Sequence, residues 1–215
     1  ALGRPIWVRA QGSAVMEDGK AIKLLGALHD ITQRKQAELY EQFRSHILEL
    51  LAGGEALPNL LEALVRGVER LNPAMLCSIL LLDSEARHLG KGIAPSLPDF
   101  YNAALDGTEI GLGVGSCGTA AFTGERVVVE DIATHPYWVA YKELAARAGL
   151  GACWSQPIKS SSGAVLGTFA IYHRERHLPA DSDIVLIEQT AHLASIAIER
   201  GVATQKLREI GRASC

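Results

Sequence analysis

The sequence predicts an α+β protein, and three observations carry that reading. Leu57 to Leu71 places Leu60, Leu61, Leu64, Val65, Val68 and Leu71 on one stripe of a helix. Met75 to Asp83 is a compact apolar run bounded by Asn72-Pro73 and Asp83-Ser84, the pattern of a buried central strand. Ala152 to Lys159 and Val165 to His173 are strand-like runs joined across Ser160-Ser161-Ser162-Gly163, which predicts a hairpin.

The remaining elements follow in chain order. Ile6 to Gly12 and Ile22 to His29 read as extended segments joined by Glu17-Asp18-Gly19-Lys20, where Asp-Gly supplies the positive φ angles of a tight turn. From Thr32 to Leu51, Leu39, Phe43, Ile47, Leu50 and Leu51 recur three and four apart on a helical stripe. That stripe serves equally as half of a parallel coiled-coil dimer or as a face packed on the following domain. Gly53-Gly54 ends the helix, and Pro58 sits in the first turn of the next. His88 to Ile93 predicts a weak strand antiparallel to the central one, and Pro95 to Ala104 a short helix. Gly107 to Gly118 is a glycine-rich connection into a helix over Gly118 to Phe122, followed by a strand from Val127 to Glu130. Helical spacing returns at Tyr137, Tyr141, Leu144 and Ala148 before Gly149. The final helix begins near Ala180, after Pro179, and runs past Arg200 with Ile184, Ile187, Ala191, Ala194 and Ile198 on a broad apolar face.

Bulk properties bound the function. At 215 residues, 48% hydrophobic and 21% charged, the chain has the composition of an ordinary globular protein with one full domain and smaller additions. The net charge of -3 offers no general attraction for phosphate backbones or anionic lipid, so neither nucleic acid nor direct membrane contact is expected. No apolar run approaches the roughly 20 residues needed to span a bilayer, and a cytoplasmic setting is expected. Cys77, Cys117, Cys153 and Cys215 form no CxxC pair, and His135, His173, His177 and His192 are scattered, so reduced thiols and no metal site are expected.

Three blocks carry a family resemblance: Gly113-Val114-Gly115-Ser116-Cys117-Gly118-Thr119-Ala120-Ala121, Val127-Val128-Val129-Glu130-Asp131-Ile132, and Val165-Leu166-Gly167-Thr168-Phe169-Ala170-Ile171. In this order they resemble a GAF domain, a small-ligand and interaction module of signalling proteins, over roughly residues 42 to 200. The resemblance implies a central antiparallel sheet of five to six strands with helices on both faces and a cavity. Trp7, the Asp18-Gly19 turn and Asp30-Ile31-Thr32-Gln33-Arg34-Lys35 resemble the C-terminal (PAC) end of a PAS domain. The expected organisation is a PAS remnant at 1–38, a linker helix at 39–54, a GAF domain at 55–203 and the start of a signalling helix at 204–215. Glu209 to Cys215 also matches the translation of a common sequencing adapter, so a non-native origin for it is an equal alternative.

The resemblance is to GAF domains that precede diguanylate cyclase, phosphodiesterase or histidine kinase outputs, none of whose catalytic signatures occurs here. It implies a non-catalytic sensor region that binds an unidentified small molecule and forms a homodimer through the helices Thr32 to Leu51 and Ala180 to Lys206. A ligand-free dimerisation spacer is one alternative. A free methionine-R-sulfoxide reductase is another, since such enzymes share the Gly-x-Cys-Gly-Thr-Ala pattern. They attack with a cysteine just beyond a His, however, and His135 to Tyr141 contains none. Bilin attachment is disfavoured in the same way, because the Tyr137 to Ala148 segment has no cysteine.

Gly113-Val114-Gly115 lacks the further residues of a dinucleotide or nucleotide phosphate loop. Cys117 stands at a predicted helix start, where amides and macrodipole favour thiolate, which makes it the redox candidate. Trp138, Tyr141 and Trp154 are notable in a chain with three Trp, five Tyr and four Phe, and the resemblance puts them in cavity-lining segments. Ser155 and Gln156 alternate along the strand with Trp154 and Pro157, which allows one polar side chain of that strand to face the cavity. The candidate ligand-binding residues are therefore Cys117, Thr119, Asp131, Trp138, Tyr141, Cys153, Trp154 and Ser155. No residue is assigned to catalysis or to metal, and the sequence specifies no cofactor.

Overall fold

The computed structural model describes residues 6–213 and divides into two units, Ala1–His46 and Ile47–Cys215, each described by itself. In the first, β1 (Val8–Glu17) and β2 (Lys20–Asp30) pair antiparallel, with Glu17 opposite Lys20 and Val8 opposite Asp30. Asp18 (φ 49°) and Gly19 (φ 75°) both adopt left-handed backbone, the two-residue turn whose twist matches the strands. The strands run right up to this turn. The sequence reading had stopped β1 at Gly12, because Ser13, Ala14 and Met16 carry little strand propensity and the turn sets their pairing.

The base of the hairpin is closed by three bonds of 2.8 Å: Ile31 N–H donates to Trp7 O, Trp7 N–H to Thr32 Oγ1, and Thr32 N–H to Asp30 Oδ1. Asp30 thereby caps the first turn of α1 (Thr32–Ala52), and the bonds from Thr32 hold its carboxyl below the ordinary range. α1 itself crosses the division between the units.

The second unit follows with α2 (Leu57–Leu71), β3 (Leu76–Leu81), β4 (His88–Leu89), α3 (Asp99–Leu105), β5 (Thr108–Glu109), α4 (Gly115–Thr123) and β6 (Val127–Val129). A 3₁₀ turn (Pro136–Trp138), α5 (Lys142–Arg147), β7 (Ala152–Lys159), β8 (Val165–His173) and α6 (Asp181–Ala213) complete it. The main sheet has the order β3-β8-β7-β6, all antiparallel. β4 and β5 pair separately, and the bridges Ile79–Ile93 and Leu82–Leu89 bring this segment to the edge of β3. The main sheet thus has four strands where the resemblance implied five to six, with β4 and β5 forming a separate pair.

α2 and α6 cover one face of the sheet and α4 the other. Pro157 of β7 lies beyond the pairing with β6, whose outermost pair is Val127 with Ser155. Glu199 of α6 accepts from both the amide and the hydroxyl of Ser161, at 3.1 and 2.7 Å, tying the helix to the β7–β8 turn. Glu209 to Ala213 continue α6, and the final two residues of the Glu209 to Cys215 tail lie outside the described residues.

Several elements differ from the sequence reading. α4 starts at Gly115 rather than Gly118. The segment Tyr137 to Ala148 is broken, because Pro136 opens a 3₁₀ turn and the chain restarts as α5 only at Lys142. β5 has two residues and no periodicity to reveal it.

The period of two along β7 and β8 corrects one site assignment. Cys153 and Ser155 share a face with Tyr172 and Ala170, their cross-strand partners, while Trp154 points with Ile171 toward the opposite, α6-covered face. Trp154 is fully buried there, with its ring centroid 4.6 Å from that of His173, and His173 stacks on His177 at 4.2 Å. Trp154 Nε1–H donates to the His177 carbonyl at 3.2 Å. It is therefore a core residue and does not line the cavity. Burial first, and the neighbouring His177 second, lower the pKa of His173 to about 4, against a weaker opposing pull from Asp183.

Two predictions arise from this packing. A Cβ on Gly167 would lie 2.3 Å from the Leu80 carbonyl oxygen, where β3 and β8 meet, whereas one on Gly163 would meet nothing within 4 Å. Gly167→Ala should lower unfolding free energy by about 3 kcal/mol, and Gly163→Ala by only about 1 kcal/mol of left-handed strain, both read from urea denaturation. His173 stays neutral in the fold where the unfolded chain would protonate it, so stability should fall as pH drops from about 6.5 toward 4. The loss between pH 7 and 5 should be about 1–2 kcal/mol, and His173→Gln should flatten that slope.

Candidate functional site

The site lies on the sheet face opposite α6, where α4 crosses β6, β7 and β8. Its cover is built from local turn chemistry. Asp131 Oδ1 accepts from Ala133 N–H at 3.0 Å and its carbonyl accepts from His135 N–H at 3.1 Å, turning the chain just past β6. His135 Nδ1 then accepts from Tyr137 N–H at 3.2 Å, which caps the 3₁₀ turn and directs Trp138 inward, where it is 3% exposed. Over the rim, the Arg147 guanidinium of α5 stacks on the Phe100 ring of α3 at 4.8 Å.

Trp138 Nε1–H donates to Ser116 Oγ at 3.0 Å, and Ser116 Oγ–H donates to the Cys153 carbonyl at 3.3 Å. This relay joins cover, helix and sheet. Beneath it is a hollow of only about 20 Å³, space for about one water. Its apolar wall is Leu89, Leu105, Val114 and Trp138; its polar groups include the hydroxyls of Tyr101, Tyr141 and Tyr172, with Ser116, Thr108 and the Cys117 thiol. No charged side chain lines it. Tyr101 and Tyr172 meet edge to face, 5.9 Å between centroids.

The floor is a buried thiol and hydroxyl cluster. Cys117 Sγ lies 3.6 Å from Tyr172 Oη, which in turn lies 3.3 Å from Ser78 Oγ. Ser155 Oγ and Thr168 Oγ1 are buried without a hydrogen-bond partner. Hydrogen bonding from the Cys153 thiol, helped by Ser155, Tyr172 and Thr168, outweighs desolvation and holds the Cys117 thiol below the usual range. Cys153 and Tyr172 shift the other way, primarily because they are buried.

Of the sequence-predicted residues, Cys117, Trp138 and Tyr141 line the hollow. Cys153 and Ser155 lie under it on the sheet. Thr119 is buried but braces the glycine-rich turn, its hydroxyl accepting from Gly113 N–H at 3.1 Å. Asp131 shapes the cover from outside the wall, and Trp154 is on the far face. Tyr101, Ser116 and Tyr172 escaped the sequence reading. Tyr172 becomes visible once β8 is set opposite β7 with Cys153 as its partner. Among the described residues no cluster of three or more His, Cys, Asp or Glu could hold a metal.

A second hollow of about 230 Å³ lies between the α1–α2 junction and α6, bordered by Gly54, Leu57, Arg200, Gly201 and Thr204. Arg200 Nη1 donates to the Leu51 carbonyl near the end of α1, fastening the incoming helix to the outgoing one.

The chain is 42% identical over 193 residues to the methyl sulfide methyltransferase-associated sensor of Methanosarcina acetivorans, a match covering 90% of this chain and 19% of that protein. The chain thus spans about a fifth of the length of that curated relative. Among solved structures, the GAF domain of a Coxiella burnetii phosphoenolpyruvate-protein phosphotransferase superposes with a TM-score of 0.61 at 21% identity, covering 79% of this chain and 96% of that one. Free methionine-R-sulfoxide reductase from Neisseria meningitidis superposes at 0.60 with 18% identity, covering 79% and 93%. At these identities the two structures speak for the fold alone. No helix among the described residues is long and apolar enough to cross a membrane. The GAF domain family model matches residues 55–199, which takes in α2, the whole sheet, the cover and the thiol floor, and the chain belongs to that family.

Proposed function

We propose that this chain is the sensory and regulatory region of a longer cytoplasmic signalling protein, whose GAF cavity takes a small uncharged ligand and whose flanking helices carry the response. The observation that supports it best is the uncharged hollow walled in part by Trp138, whose indole is held by one side-chain hydrogen bond, to Ser116. Opening it costs about 1 kcal/mol for the Trp138–Ser116 bond plus the indole packing, which a planar ligand with a polar edge would restore. The three tyrosine hydroxyls, Thr108 and Cys117 offer orienting contacts, and the lack of charge in the wall disfavours an ionic guest.

The response runs through the cover into α4 and β7, and from the sheet into α6. α6 is fastened to the end of α1 by Arg200. A ligand that binds one cavity state 10-fold to 100-fold better supplies about 1.4 to 2.7 kcal/mol, enough to bias a marginal dimer built from α1 and α6. The name of the Methanosarcina relative, a sensor, is consistent with this role. In the same reading the β1–β2 hairpin is the C-terminal end of a PAS domain, and catalysis belongs to an output domain such as a cyclase or histidine kinase.

The small size of the hollow favours a second reading, in which the domain is a ligand-free dimerisation spacer. A sulfoxide reductase draws no specific support, since the cover segment 135–141 offers no attacking cysteine.

A thermal-shift screen of uncharged planar metabolites tests the proposal. A binder at a hundredfold over its Kd should stabilise the native state by about 2.7 kcal/mol, with red-shifted emission that Trp138→Phe abolishes. Failure of every compound, together with a dimer in sedimentation, would favour the spacer. Ser116→Ala should cost about 1–2 kcal/mol by stranding the buried indole N–H, and should tighten ligand binding because the cover opens more easily.

A further inference from the structure

We infer that Cys117 and Cys153 form a peroxide-reactive thiol pair, in which hydrogen peroxide entering the hollow oxidises Cys117 and Cys153 resolves it to a disulfide. This goes beyond reversible ligand binding and does not rest on it.

Four features converge. Cys117 is in the wall of the hollow, so its sulfur can be reached from the cavity, while Cys153 and Cys77 are fully buried elsewhere. The space, about 20 Å³ and free of charged groups, admits a molecule little larger than water and uncharged, which describes hydrogen peroxide and excludes bulky or anionic oxidants. The buried hydroxyls of Ser155 and Thr168 have no partner and share the sheet face of Cys153 and Tyr172, and Tyr172 Oη lies 3.6 Å from the Cys117 sulfur, so donors for a thiolate are at hand. Cys153 is positioned to resolve: it is the cross-strand partner of Tyr172, whose hydroxyl lies 3.6 Å from the Cys117 sulfur, and Ser116, next to Cys117, is bonded to the Cys153 carbonyl at 3.3 Å.

The chemistry balances. The Cys117 thiolate attacks one peroxide oxygen; an S–O bond forms, the O–O bond breaks, and hydroxide leaves to take up the proton the thiol gave. Cys153 then loses its proton and attacks the Cys117 sulfur; an S–S bond forms, the S–O bond breaks, and the departing hydroxide leaves with that proton as water. Two thiols and one peroxide give one disulfide and two waters. The sulfurs are oxidised by two electrons and the peroxide is reduced. Because Ser116 bridges Cys153 and Trp138, drawing α4 onto β7 would also load the bond that holds the cover shut.

The test is peptide mass mapping, under non-reducing conditions, of the full 215-residue chain treated with equimolar hydrogen peroxide. A Cys117–Cys153 disulfide should form about tenfold or more faster than Cys77 is oxidised. In Cys153→Ser, dimedone should capture a sulfenic acid on Cys117, and in Cys117→Ser, Cys153 should stay reduced. Folded protein should resist the bulky anionic reagent dithiobis-nitrobenzoate at both positions. Ser155→Ala with Thr168→Val keeps both thiols and should slow oxidation about tenfold, which preserves a readout if a cysteine variant does not fold. Equal rates at Cys117 and Cys77, dimedone on another residue, or an unchanged rate in the hydroxyl-deleted variant would overturn the pair. Ligand-induced thermal shifts are read on the unsubstituted, reduced chain, so failure here is distinct from failure of the ligand reading.

Discussion

The two-residue period of β7 and β8 is the constraint on which this structure depends. Each strand is buried on both sides, so adjacent residues must serve incompatible environments. Cys153 and Ser155 meet Tyr172 and Ala170 beneath α4, while Trp154 meets Ile171, His173 and His177 beneath α6. A register slip of one residue would put the indole in the hollow and the thiol in the helix interface. The close backbone approach at Gly167 helps forbid that slip, because it leaves room for no other residue against β3.

From this partition come two unlike interiors within one small domain. The α6 side is packed to full density around Trp154, Phe169 and Ile79, with a neutral imidazole held against the indole. The α4 side is polar by contrast: hydroxyls and thiols share few partners, and the Ser155 and Thr168 hydroxyls have none. Buried groups left that way cost stability unless something compensates them. Here Cys153 first, and the Ser155, Tyr172 and Thr168 hydroxyls after it, hold the Cys117 thiol below its usual range. The stable face supports the reactive one through a shared sheet.

How far the sequence revealed this depends on the signal each part carries. α2, β7 and β8 were legible to the residue, because Leu57–Leu71 keeps strict helical spacing and the two strands flank an unambiguous serine-glycine turn. The cover was not, since Tyr137, Tyr141 and Leu144 mimic one helix while Pro136 and the His135 cap divide it. Alternation showed that Trp154 and Ser155 face opposite ways, but only packing says which face holds the hollow. Tyr172 depended on cross-strand register, which a bulge at Ile158/Lys159 shifts near the turn. Tyr101 reaches the site from α3, whose seven residues carry no spacing that points inward.

The bond from Arg200 to the Leu51 carbonyl also acts as a fulcrum. Beyond it α6 continues for thirteen residues to Ala213, a rigid arm of about 20 Å at 1.5 Å per residue. A tilt of about 5° at the pivot would sweep the far tip through nearly 2 Å, roughly a third of a helical turn's rise. The same lever geometry would magnify an ångström-scale displacement at Arg200 by the far end of α6.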